Sequence, residues 1–265
     1  MQFRYLDLIR ECNPLVHCMT NIVVTNFSAN GLLALGASPF MSTMSEEAAE
    51  IQQFSNALLL NIGTIHDFDV DAMIIAGQAA NQHGVPVVLD PVGAGATAYR
   101  RTTVKKILDK VNISAIRGNV SEVAFLAGVA WQVKGVDAGR GNGDIAEIAR
   151  ITAQKYQCCV AISGEIDYIS DGKQVAKIYN GTTLLPKITG SGCLLGATVG
   201  AFLGVAEKGD EFHACLEAGT GFAVAGELAA QGLNNQLGSF AVQFINQLAD
   251  LTSEKINQLA RIEYV

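Results

Sequence analysis

Apolar runs separated by helical stretches constrain this chain more than any other feature of its sequence. Leu15 to Met19, Ala57 to Ile62, Val85 to Asp90, Ser114 to Arg117 and Cys158 to Ser163 each read as a strand. Between them lie helical stretches at Phe27 to Leu35, at Asp69 to His83, from Thr102 or Thr103 to Val111, and at Ile145 to Tyr156. Continuous apolar strands need cover on both faces, and crossover helices supply it, so the pattern predicts an α/β fold with a mostly parallel sheet. Ligands of such sheets bind beyond the carboxyl ends of the strands. The residues at those ends are therefore the first candidates for a site.

The remaining segments fit one domain over residues 1–265, with no linker and no repeat. Phe3 to Glu11 has the spacing of a short helix that Pro14 stops. Thr25 or Asn26 can cap the Phe27 helix, and Ser45 a helix that begins with Glu46 and Glu47. Gly135 to Gly143 reads as a polar loop, Asp171-Gly172 as a hairpin turn, and Glu211 to Gln231 and Ser239 to Leu248 as helices. With 49% hydrophobic and only 16% charged residues, the chain has material for a large core and for self-association.

Several classes of function fall away. A net charge of −7 and a pI near 5.1 argue against a nucleic-acid partner, because phosphate backbones reward basic surfaces. No basic segment precedes a long apolar stretch, and no apolar run reaches membrane-spanning length, so a soluble cytoplasmic protein is expected. The six cysteines form no Cys-x-x-Cys pair and the four histidines no cluster, which leaves zinc and disulfide frameworks without support. There is no Gly-Lys-Ser/Thr of a Walker loop and no dinucleotide fingerprint.

What carries chemistry is the stretch KITGSGCLLGATVGAFLG, Lys187 to Gly204. It reads as a short extended run ending at Ile188, a small-residue loop from Thr189 to Cys193, and an apolar helix. Glycines let successive backbone N–H groups face one concavity, and the helix dipole adds positive potential at the same place. A phosphate suits such a cradle, although small residues also simply permit tight packing. Cys193 falls in the first helical turn, where the field favours the thiolate. Asp90, ahead of the PVGAG turn, suits Mg²⁺ held through water or a turn cap. Arg117, Asn119 and Glu122 gather at the next strand end: a guanidinium for phosphate and a carboxylate for the metal, or an ordinary helix cap. Asn21 is either a pocket residue or a satisfied turn residue, and Met41 either core filler or a soft wall for a flat heteroaromatic ligand.

Taken together, TNIVVTNFSANGLLALGASPFM, VLDPVGAGAT, AIRGNVSE, SGEIDYI and TGSGC closely resemble the hydroxyethylthiazole kinases, thiamine-salvage enzymes of the ribokinase-like group. The resemblance runs in order from about Pro14 to Ser239. It implies a ribokinase-like three-layer α/β/α sandwich with no separate lid. It further implies ATP- and Mg²⁺-dependent phosphorylation of the hydroxyl of 4-methyl-5-(2-hydroxyethyl)thiazole, and a homotrimer with active sites between subunits. By the same resemblance, Met41 and Gly190 hold the thiazole through backbone amides and Asn21 lines its pocket. Arg117 and Ser163 match ATP-contacting positions, the latter Thr in many relatives, while Asp90 and Glu122 resemble the acidic groups near metal and phosphates. Gly190, Gly192 and Cys193 form the catalytic loop, Cys193 standing where the wider group has an Asp base.

Phosphoryl transfer through a loose transition state needs positioning and charge neutralisation more than early proton transfer. The main stabilisation is therefore expected from the loop amides, Mg²⁺ and Arg117, with Cys193 as an auxiliary proton acceptor, and Cys193→Asp is expected to keep substantial activity. Two rivals share the fold: a repair dehydratase acting on hydrated nicotinamide nucleotides and a hydroxymethylpyrimidine kinase. Both are expected to have an acidic residue where Cys193 stands. A non-catalytic nucleotide-binding protein would bind ATP without phosphate transfer.

Overall fold

The structure is a computed structural model that describes residues 2–131, 133–134, 137–138 and 144–265. Its first half alternates as the apolar runs require: α1 (Tyr5–Cys12), β1 (Leu15–Met19), α2 (Thr25–Leu35), β2 (Ser38–Phe40), α3 (Ala48–Ile51), β3 (Ala57–Asn61), α4 (Asp67–His83), β4 (Val87–Asp90), α5 (Ala98–Leu108), β5 (Ala115–Asn119) and α6 (Val120–Ala127). A short antiparallel pair follows, β6 (Val133–Lys134) with β7 (Asp137–Ala138). The rest of the expected Gly135 to Gly143 loop lies outside the described residues. Then come α7 (Ile145–Tyr156), β8 (Cys159–Ser163), β9 (Asp167–Ser170), β10 (Val175–Ile178), α8 (Ser191–Leu203), α9 (Glu211–Ala230), α10 (Leu237–Asp250), α11 (Ser253–Leu259) and β11 (Ile262–Tyr264).

A nine-stranded sheet runs in the order β11-β10-β9-β8-β5-β4-β3-β1-β2. From β2 to β8 neighbouring strands are parallel, and the β9–β10 hairpin and β11 add an antiparallel edge. Strand pleating splits the core into two layers. Val16, Cys18, Leu59, Val88, Ala115 and Cys159 face α1, α2, α8, α9 and α10, whereas Met19, Leu58, Leu60, Leu89, Ile116 and Cys158 face α4 to α7. The adjacent Cys158 and Cys159 thus serve opposite layers, as packing residues. No helix among the described residues is long and apolar enough to cross a membrane.

Local capping differs from the sequence expectation in ways that matter to the site. α2 starts at Thr25, whose Oγ1 donates back to the Asn21 carbonyl at 2.9 Å instead of capping. α3 begins only at Ala48, so Ser45 caps nothing. α5 begins at Ala98 because Thr97 Oγ1 accepts the Arg100 N–H at 3.2 Å. The chain reaches α8 through a 3₁₀ turn, Leu185–Lys187, with Pro186 favouring that turn, and not through an extended run. The helix then starts at Ser191, so Ser191, Gly192 and Cys193 belong to its first turn, and Gly190 is its N-cap in a left-handed conformation, φ 94°.

Long-range polar contacts tie the ends of the chain to the core. Glu217 of α9, 1% exposed, accepts the N–H groups of Arg4, Tyr5 and Leu6 at 2.9 Å each, and so caps α1 from another helix. Three such bonds satisfy amides that a helix start leaves orphaned.

Candidate active site

The carboxyl ends of β1, β3, β4, β5 and β8 present Asn21, Asn61, Asp90, Arg117 and Ser163 in one row, because the strands are parallel and adjacent. α8 lies against this row by its small residues. A Cβ on Gly192 would sit 2.8 Å from Arg117 Nη1, and one on Gly196 would sit 3.3 Å from Asp90 Oδ2. Glycine is needed there because the guanidinium and the first turn of α8 approach almost to contact. The same first turn carries the orphan amides that make a helix start an anion site.

The polar groups of the row are wired together. Asp90, fully buried, pairs with Arg117 Nη1 at 3.6 Å and accepts from Asn61 Nδ2 at 2.8 Å, both on Oδ2. Arg117 also donates through Nη2 to Ser163 Oγ. Asp90 Oδ1 and Arg117 Nε find no hydrogen-bond partner among the described residues. Asn21, 4% exposed, donates to Asn61 Oδ1 at 2.9 Å and to Cys193 Sγ at 3.3 Å. Glu122 closes a capping box with Asn119: its Oε2 accepts Asn119 N–H at 2.8 Å, and Asn119 Oδ1 accepts Glu122 N–H at 3.0 Å. Its Oε1 accepts the Gly93 N–H at 2.8 Å, which pins the loop after β4.

Burial dominates the electrostatics. It pushes the Asp90 carboxyl up, against the opposing pull of Arg117 and Asn61. It also raises Glu122, with the charge of Asp90 adding to the effect. The Cys193 thiol is pushed up to about 11, by burial first and by Asp90 second. The expected thiolate is therefore corrected: desolvation outweighs the field of the helix start, and Cys193 is a thiol at neutral pH.

Beside this row a cleft of about 430 Å³ opens between β1, β2 and the loop after β2, lined by Thr20, Ile22, Phe40, Met41, Ser42 and Met44 among others. His17 anchors that loop from below through a 3.0 Å contact between Nε2 and the Ser42 carbonyl. Met41 thus belongs to the cleft, while Asn21, Asp90, Arg117, Ser163, Glu122 and the Gly190–Cys193 turn belong to the row. Gly190 packs against the start of α2, where a Cβ on it would meet Val24 at 2.9 Å and Phe27 at 3.3 Å. The glycines of α9 admit this chain's own side chains. A Cβ on Gly219, Gly221 or Gly226 would lie 3.0, 3.0 or 2.9 Å from Ile178, Ile256 or Leu185. Asn61 was hidden inside the apolar Ala57 to Ile62 run, where an amide amid aliphatic residues was the available signal.

Known proteins resemble this chain in sequence and in fold. The sequence profile of the Hydroxyethylthiazole kinase family matches residues 6–254. A hydroxyethylthiazole kinase from Actinobacillus succinogenes is 61% identical over 264 residues, covering 99% of this chain and 98% of the relative. One from Listeria monocytogenes is 51% identical over 98% of this chain and 97% of its own length. The solved hydroxyethylthiazole kinase protein of Pyrococcus horikoshii OT3 superposes with a TM-score of 0.89 at 36% identity, covering 98% of this chain and 97% of that one. A Bacillus subtilis pyridoxal kinase in complex with ADP, 17% identical, shares the fold at a TM-score of 0.60 over 80% of this chain and 90% of its own. A kinase fold, a row of strand-end polar groups under a glycine-bearing helix start, and a full-length match therefore lead to one conclusion: this chain belongs to the hydroxyethylthiazole kinase family.

Proposed function

We propose that this single-domain protein transfers the γ-phosphoryl group of ATP to the hydroxyl of 4-methyl-5-(2-hydroxyethyl)thiazole, in the cytoplasm. The observation that carries the reading is the meeting of Arg117 with the first turn of α8 at Gly192. A fixed cation and a set of helix-start amides then converge where the migrating phosphoryl group gathers charge. Gly190 turns the chain so that these amides face the row, and Arg117 and Ser163 contact the nucleotide. The cleft beside Met41 takes the flat thiazole, with Asn21 and the backbone at Met41 and Gly190 orienting it.

The donor set fits Mg²⁺ held chiefly by the nucleotide. Asp90 and Glu122 are the residues that would hold it, through water, and Asp90 Oδ1 offers an unpartnered buried oxygen. No group of three or more His, Cys, Asp or Glu among the described residues makes an all-protein cage. When bound, the ion neutralises phosphate charge. Ile22 and Met44 are 83% and 60% exposed beside the cleft, which supports a homotrimer whose neighbouring subunit covers them. Sizing in solution tests that assembly.

A coupled ADP-release assay tests the activity. The thiazole alcohol is expected to drive turnover, while hydroxymethylpyrimidine and sugar alcohols leave it at background. Thiazole-independent ATP binding alone would leave the non-catalytic reading in place. The protonated state of Cys193 yields a further prediction. A true general base contributes about 10²–10⁴-fold, so Cys193→Ser, which keeps a neutral donor and acceptor, is expected to retain turnover within about tenfold. Cys193→Asp is expected to retain substantial turnover as well. A loss beyond about 100-fold in the serine variant, with ATP affinity intact, would assign the sulfur a chemical role.

A further inference from the structure

We propose that Asn61 is a positioning residue for the alcohol side of the site: its amide fixes the orientation of Asn21 and, together with Asn21, the hydrogen bonding of Cys193, while bracing Asp90. The proposal rests on the kinase reading above and adds a residue to it. Direction follows from a backbone group that can only donate. Gly63 N–H reaches Asn61 Oδ1 at 3.0 Å, so the Asn61 oxygen faces the loop and its Nδ2 faces Asp90 Oδ2 at 2.8 Å. Because the same oxygen faces Asn21, that side chain must turn its nitrogen inward, at 2.9 Å. The Asn21 nitrogen also reaches Cys193 Sγ at 3.3 Å, which makes the sulfur the acceptor of that contact. Asn61 is itself a side-chain hydrogen-bond partner of the Cys193 thiol, so both amides meet at the sulfur.

A second observation is independent of these bonds. A Cβ on Gly63 would lie 2.6 Å from Asn21 Nδ2 and 2.8 Å from its Cγ, so the loop after β3 holds the Asn21 amide from the other side as well. Asn61 is fully buried and Asn21 nearly so, and neither amide can flip without leaving a buried group unpaired. Arg100 fixes the same loop. It donates to the carbonyls of Ile62 at 2.5 Å, Val92 at 2.6 Å and Gly63 at 2.6 Å, and so clamps the ends of β3 and β4.

The test is steady-state kinetics on Asn61→Ala, Asn21→Ala, the double variant and Gly63→Ala, with nucleotide affinity measured separately by calorimetry using a non-hydrolysable ATP analogue. Asn61→Ala is expected to lower kcat/KM for the thiazole alcohol by about 30-fold or more, since small misplacements of a reacting group cost up to about 100-fold. Nucleotide affinity is expected to stay within about threefold. The double variant is expected to lose at most about threefold beyond Asn61→Ala, because residues acting as one unit are not additive. Gly63→Ala, whose added methyl presses on Asn21 while its N–H can still donate to Asn61, is expected to give the same alcohol-specific loss, and it carries the test if Asn61→Ala does not fold. Multiplying losses in the double variant, or a lower melting temperature with unchanged kcat/KM for the alcohol, would overturn the proposal. A wild-type protein without thiazole-dependent ADP release would instead overturn the kinase reading, before any variant is made.

Discussion

Arg117→Leu is expected to lower kcat by about 10²–10³-fold, the usual cost of removing one preorganised donor to developing charge. It is also expected to destabilise the fold. Asp90 is fully buried, and Arg117 is its ion-pair partner. Breaking a buried pair from one side costs about 3–5 kcal/mol, and uptake of a proton by Asp90 holds the loss toward the lower end. Arg117→Lys separates the two effects. A single ammonium can sit near Asp90 but cannot also reach Ser163 Oγ as the planar fork does. Its melting temperature is expected to approach that of the wild type while its turnover stays low. Equal turnover in the lysine and wild-type proteins would show that the fork geometry is not used, and calorimetric unfolding checks the stability half.

The second large effect belongs to Gly190. Its φ of 94° lies where side chains are strained, and a Cβ there would press on Val24 at 2.9 Å and on Phe27 at 3.3 Å. Gly190→Val is expected to cost about 1–3 kcal/mol of stability from backbone strain alone. The larger consequence is for chemistry. Relief of the strain swings the first turn of α8, and about 1 Å of displacement of a reacting group costs about 100-fold in rate. Turnover is expected to fall at least that far, with the melting temperature only modestly lowered. A Gly190→Val protein that turns over normally would mean that the α8 amides do not hold the migrating group.

These outcomes depend on features of uneven legibility. β1 and α7 match the sequence reading residue for residue, and β3 and β8 within one residue at an end, because a buried strand or a capped amphipathic helix writes its own pattern. The row of Asp90, Arg117 and Ser163 was legible for a related reason: each polar residue ends or interrupts an apolar run. Asn61 went unread because one amide does not disturb a window of aliphatic neighbours, and its importance depends on partners 29 and 40 residues away. β11 was missed since its pairing with β10 is long-range and its residues are few. The Cys193 thiol was misjudged because the helix field is a local property, while the burial that overrides it is tertiary. The caps of α2 and α3 failed differently: Thr25 and Ser45 are good cap residues at places where the chain closes its turns by other means.

The grip of Glu217 on the start of α1 bears on how the chain reaches this state. The carboxylate sits 211 to 213 residues downstream of the amides it caps. α1 therefore cannot receive this cap until Glu217 has been made, and closing so long a loop adds to the entropy that slows folding. The start of α1 is thus tied to a contact of very long sequence separation, of the kind that is costly to close early in folding.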